Sequence, residues 1–250
     1  MNTSTKYKSF IQVIVTVLAV SFVTSSAQAD EGVMRVKVGT GLAYYTSPSS
    51  NGDISTTYAT IGLGITYIWP SNIFADFTTK RSFLDPAYIT QYTPAGQSTS
   101  NQSFSRVENT VTVGMPLTND LQGNAGLFTT ESTFGFTPTG QFPSGQFSQK
   151  IRGISAGIGK GFALEEGSAG NLGLNGGLAL LNASYTDKTG NSSSANLSYG
   201  ISLGAAYNYM VNKTISISAD AKFQSYFIKY ATFSGDERIL SAAVSLIGQF

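Results

Sequence analysis

Beyond residue 30 the chain alternates with a period of two. Leu197, Tyr199, Ile201, Leu203, Ala205, Tyr207 and Tyr209 take every second position, opposed by Ser198, Gly200, Ser202, Gly204, Ala206 and Asn208. Ala59, Ile61, Leu63, Ile65, Tyr67 and Trp69 likewise oppose Tyr58, Thr60, Gly62, Gly64 and Thr66. Successive side chains of a strand point to opposite faces, so each run is a ribbon with one apolar face and one small, polar face. Ten strands are predicted, at about 33–45, 56–69, 72–84, 104–117, 121–134, 150–164, 171–185, 195–209, 214–230 and 237–250. Each spans 13 to 17 residues. A globular strand usually has roughly 5–6, and about 9–11 suffice for a tilted strand to cross a bilayer. The segment 121–134 is the weakest, because Leu127 and Thr129 make a barely apolar face and Glu131 falls on it near one end.

The links alternate too. After the odd-numbered strands they run to about 10, 19, 15, 9 and 6 residues, rich in Ser, Thr, Gly, Asn, Gln and Pro. After the even-numbered strands they are short, as in Pro70-Ser71 and Thr118-Asn119-Asp120. Tight turns at one end and longer loops at the other are the pattern of a membrane barrel. The apolar face ends in aromatic rings: Tyr67, Trp69, Phe162, Tyr207 and Tyr209 near the short turns, Tyr44 and Phe227 near the long loops. Two membrane–water interfaces select such rings. A soluble sandwich would pack its apolar faces together and would have shorter strands. In lipid every backbone amide must be paired, so a spanning sheet must close on itself. The expected fold is all-β, a single closed antiparallel transmembrane β-barrel of about ten strands, with eight as the runner-up.

Composition narrows the chemistry. Of 250 residues only 12% are charged, against roughly 25% in an average soluble domain. There is no cysteine and no histidine, which removes disulfides, thiolate sites and the commonest general base and metal ligand. A net charge of +1 gives no footprint for nucleic acid. Lys6 and Lys8 precede an apolar run over 10–23, and Ala27-Gln28-Ala29 supplies a small-x-small pattern before Asp30. These are the three regions of a secretory signal. The expected organisation is therefore a cleaved signal peptide at 1–29 and a barrel domain at 30–250. Removing Lys6 and Lys8 lowers the basic count from 15 to 13 against 14 acidic residues, a charge of −1.

With the terminal run from Leu240 to Phe250 added to these features, the chain resembles small, porin-like Gram-negative outer-membrane β-barrel proteins. The resemblance covers the whole chain at class level. It implies residence in the cell outer membrane and contact with outer-membrane lipid and lipopolysaccharide. It also implies insertion by the barrel-assembly machinery, read from Phe250 with Leu246 and Val244 at alternate positions before it. Gly248 and Ala242 fill the remaining places of that pattern, Gly248 weakly. Enzymes of this class work through histidine, which this chain lacks, so no enzymatic activity, cofactor or metal is expected.

The predicted inward face carries Arg35, Lys37, Lys80, Arg106 and Lys222 against Asp76, Glu108, Asp220 and Glu237. Buried charges need partners, and Lys80 and Glu108 lie at similar distances from the link between strands three and four. Thirteen inward glycines, among them Gly39, Gly62, Gly157, Gly173 and Gly204, either leave the lumen open or make room for facing rings. Lys160 falls on the apolar face near a short turn and either snorkels to the interface or sits in a bulge. Two functions are expected. One is a structural, surface-exposed barrel or a narrow passive channel for small polar solutes. The other is an adhesin or receptor surface on the loops 85–103 and 135–149, for an extracellular partner the sequence does not name.

Overall fold

The computed structural model describes residues 32–47, 53–83, 88–93, 96–118, 120–136, 145–163, 170–186, 190–230 and 234–250; for 88–93, 96–102 and 145–147 it describes backbone alone. The expected signal peptide lies outside these residues. Twelve strands form one sheet: β1 (Val33–Ser47), β2 (Ile54–Ile68), β3 (Phe74–Ser82), β4 (Tyr88–Thr93), β5 (Gly96–Pro116), β6 (Leu121–Phe136), β7 (Gly145–Ala163), β8 (Gly170–Thr186), β9 (Ser192–Ser194), β10 (Ser198–Met210), β11 (Ile215–Lys229) and β12 (Ser234–Gln249). β3 and β4 both pair with β2 and with β5, so they are two lengths of a single stave. β9 pairs with β8 just beyond the start of β10 and continues that stave in the same way. Twelve strands thus make ten staves, and β1 pairs with both β2 and β12, which closes the barrel. The eight-stave alternative is excluded.

The register fixes the dimensions. A path that starts at Arg35 and crosses paired residues through Thr66, Asp76, Thr112, Gly126, Ser155, Ala179, Gly200, Tyr226 and Glu237 returns to β1 beside Ser47, twelve residues further on. Ten staves with that stagger tilt by about 40° and enclose a bore of about 10 Å backbone radius. Along the axis each residue then rises about 2.5 Å.

Outward side chains form the apolar band, with Leu42, Ile65, Val113, Leu127, Ile158, Leu178, Leu203 and Val244 all exposed. Tyr67, Trp69, Phe162, Tyr207 and Tyr209 ring its short-turn end, and Tyr44, Phe83, Tyr199 and Phe227 its long-loop end. At the estimated tilt the two rings stand about 25 Å apart, the height of the apolar band on membrane barrels. The turns at the lower ring are tight. Trp69 N donates to Ile73 O at 2.9 Å, and Asn72 takes a positive φ of 60°, which asparagine tolerates.

Most staves run past their predicted upper ends. β5 begins at Gly96 rather than 104, β7 at Gly145 rather than 150, and β6 reaches Phe136. Much of the expected loop 85–103 is therefore a β4–β5 hairpin, with Tyr88 opposite Asn101 and Thr93 opposite Gly96. The expected loop 135–149 contains paired strand at both ends. The segment 72–84 is shorter than predicted, ending at Ser82 before β4 resumes the stave at Tyr88.

Candidate functional site in the barrel lumen

Inward side chains divide the bore into two halves. In the long-loop half Tyr45, Phe104, Phe134, Ile151, Ile228 and Glu237 are at most 1% exposed. Their heights along the staggered staves agree to within a few residues, so they form one layer across the bore. Phe104 lies at its centre, with ring centroids 5.4 Å from Tyr45, 4.8 Å from Tyr58 and 4.9 Å from Phe134. Phe128 of β6 and Tyr226 of β11 stack across the bore at 5.8 Å. Glycines on neighbouring staves admit these two rings. A Cβ at Gly153 would meet Phe128 Cε1 at 2.6 Å, and one at Gly200 would collide with the Tyr226 ring.

Polar groups are threaded through this layer. Arg106 Nη1 donates to Ser132 Oγ at 2.7 Å and to Glu237 Oε1 at 3.1 Å. Its guanidinium stands 5.0 Å from the Tyr45 ring centroid. Tyr45 Oη donates to Gln149 Oε1 at 3.0 Å, and Gln149 Nε2 donates to Tyr230 Oη at 3.1 Å. Arg106 Nε and Nη2 and Glu237 Oε2 are buried with no hydrogen-bond partner among the described residues. Below them Glu108 Oε2 lies 4.0 Å from Arg106 Nη2. Two cavities of about 30 and 60 Å³ flank Glu108, bordered by Lys80 and Arg106 on one side and by Lys222 and Tyr226 on the other. Each is sized for a few waters.

The short-turn half differs. Gly39, Gly62, Gly64, Gly157, Gly159, Gly173 and Gly204 line it by the alternation. A Cβ at Gly62, Gly159 or Gly173 would meet its nearest neighbour no closer than 3.3 Å. Inward Asn171, Asn175 and Gln122 are exposed, so solvent reaches them from within the bore. Lys37 Nζ pairs with Asp220 Oδ1 at 3.2 Å. Asp76 accepts from Thr66 at 2.6 Å and Thr78 at 2.8 Å, and Arg35 Nε donates to Gln249 Oε1 at 3.0 Å. The bore is thus a water-accessible vestibule at the short-turn end, roofed by an aromatic and ionic layer.

The register puts Arg35, Lys37, Asp76, Lys80, Arg106, Glu108, Asp220, Lys222 and Glu237 on one face of the sheet, from Arg35 and Lys37 at the vestibule mouth to Arg106 and Glu237 in the roof. Lys80 lies opposite Glu108 in register, but the ion-pair contact of Glu108 is with Arg106. Lys160 faces outward with its register unbroken from Gly157 to Gly161, which rules out a bulge. It reaches Asp120 at 3.9 Å and lies 5.3 Å from the Phe162 ring centroid. Val244 and Leu246 face outward on β12, and Phe250 exchanges two backbone hydrogen bonds with Met34 that extend the closing seam. Sequence reasoning missed Tyr45, Ser132, Gln149, Tyr226 and Tyr230 as lumen residues. The signal was present as apolar or bulky residues on the polar phase near the long loops.

No protein-family model matches the sequence, and no curated protein matches it. Solved structures do match in fold. The outer membrane protease OmpT from Escherichia coli aligns over 90% of this chain and 99% of its own with a TM-score of 0.63 and 10% identity. The translocator domain of the autotransporter NalP from Neisseria meningitidis aligns over 99% and 98% with a TM-score of 0.53 and 12% identity. The fold is that of the Gram-negative outer-membrane β-barrels, in a small, ten-stave version.

Proposed function

We propose that the protein is a structural outer-membrane barrel that does not conduct, open to the periplasm and sealed towards the cell exterior. Barrels of this fold turn tightly at the periplasmic end and carry their longer loops outside. That orientation puts the vestibule inside and the roof in the outer leaflet. The single observation that carries the reading is the buried layer of Tyr45, Phe104, Phe134, Ile151, Ile228 and Glu237 across the bore. These side chains come from β1, β5, β6, β7, β11 and β12, and among the described residues the cavities that flank Glu108 just below them are water-sized.

The test is conductance in planar bilayers. Wild-type protein is expected to be silent. The double variant Tyr45→Ala/Phe104→Ala removes two large rings from the centre of the layer and is expected to give discrete steps. Stable steps from the wild type at low voltage would overturn the sealed reading in favour of a narrow channel.

A second reading concerns the surface. The β4–β5 hairpin and the tops of β6 and β7 continue the sheet beyond the upper aromatic ring, which gives an extracellular partner a paired surface to meet. Deleting residues 85–103 is expected to abolish surface adhesion, if the hairpin is the contact, while insertion is retained.

A further inference from the structure

Among the described residues five cations face away from the lumen in the long-loop half: Arg81, Lys150, Arg152, Lys229 and Arg238, all exposed. Among the described residues three acids share that outer rim, one of them the exposed Asp53, close enough for its charge to act on Arg238. Glu131 pairs with Lys150 at 3.4 Å and Asp236 with Arg238 at 2.7 Å. A rim with five positive and three negative groups among the described residues stands out on a chain whose predicted mature charge is −1. The arrangement on β6, β7 and β8 is the most complete. Arg152 lies between Thr129 and Asn182 across the two ladders, with Lys150 two residues above it. Among the described residues Arg152 forms no ion pair. Directly below, Leu127, Ile154, Leu178 and Leu180 are between 49% and 69% exposed, an apolar floor that descends the band.

The geometry points to a site on the outward face of β6–β8 for a phosphorylated lipid of the outer leaflet. Arg152 and Lys150 take the phosphate, Thr129 and Asn182 hydrogen-bond the headgroup, and the leucine floor carries the acyl chains. A planar guanidinium matches two phosphate oxygens at once, which a lysine cannot do. Cations at headgroup level beside an apolar surface satisfy both ends of such a ligand. The opposite rim offers less, because Arg238 is engaged by Asp236 and the stacked Tyr199–Phe227 pair, 5.4 Å between centroids, occupies the neighbouring surface. The inference rests on the outer-membrane reading.

The test measures binding of fluorescent bisphosphorylated lipid A to the folded barrel in detergent micelles, with inorganic phosphate as competitor. Lys150→Ala/Arg152→Ala is expected to weaken binding about tenfold or more, and Arg152→Lys to recover part of it. Lys229→Ala/Arg238→Ala is expected to change it less than threefold, and millimolar phosphate not to displace the lipid. Equal affinity in the wild type and the Lys150/Arg152 variant overturns the site. Full displacement by phosphate also overturns it, by showing a free-anion site. Heat-modifiable gel mobility reports folding of each variant, and Arg152→Gln alone replaces the double variant if that one does not fold. A wild type that is soluble without detergent fails the membrane reading itself, an outcome separate from unchanged lipid binding.

Discussion

Glu237 and Arg106 meet in the driest part of the molecule, at 0% and 3% exposure. Two charges there are held by their mutual contact, Ser132 and the Tyr45 ring. Breaking such a pair from one side leaves an uncompensated charge, whereas replacing both members with apolar residues is often neutral. Arg106→Met, which leaves the buried Glu237 carboxylate without a cation, is therefore expected to cost about 3–5 kcal/mol of stability, and Arg106→Met/Glu237→Leu to recover most of it. Urea midpoints read by gel mobility check both. A double variant as damaged as the single one would mean that the ionic pair itself stabilises the roof. Lys160 shows the same rule outside the barrel: its ammonium is carried to the interface, where Asp120 and the Phe162 ring receive it.

Several staves exchange the chemistry of their two faces along their length, without any break in register. In β7 the outward positions are Ile154, Ile158 and Phe162 through the band, but Arg152 and Lys150 above it, while the inward positions change from Gly157 and Gly159 to Ile151. β11 repeats this with outward Lys229 and inward Ile228 and Tyr230. Alternation made the stave number, the two faces and the lower turns legible, because through the band lipid and lumen demand opposite chemistry at successive residues. It failed above the band, where the outward face meets water and the packed lumen is the apolar side. Strand ends were read short for that reason, and the roof residues went unseen although Arg106 and Glu237 were placed inside. Their partners lie across the bore on staves distant in sequence, which no local pattern records. Depth along the stave also sets tolerance to charge. Val244→Arg, within the band on β12, is expected to cost about 2–4 kcal/mol, and Thr46→Arg, above the upper ring on β1, about 0–1 kcal/mol. Folding equilibria in lipid vesicles compare them, and equal costs would contradict lipid contact at Val244.

At the scale of the whole molecule, the glycines and the rings divide one bore into compartments of opposite character. Asn175 opens into the vestibule, and Ser132 lies in the roof at 1% exposure. The chain has no cysteine, so single replacements report without background. Asn175→Cys is expected to react with a polar maleimide excluded by porins only after the outer membrane is permeabilised, and Ser132→Cys in neither state. Rapid labelling of Asn175→Cys on intact cells would reverse the assigned orientation or open the roof.

The ion pair in the roof joins residues 131 positions apart. Neither partner can find the other until the first and last staves have zipped, since until then the sheet is an open ribbon. Up to that moment the guanidinium has only Glu108 of its own strand, and the Glu237 carboxylate travels with the growing sheet without a cation, a charge that resists burial. Their meeting coincides with ring closure, which makes completion of the cylinder the step at which both charges leave water together.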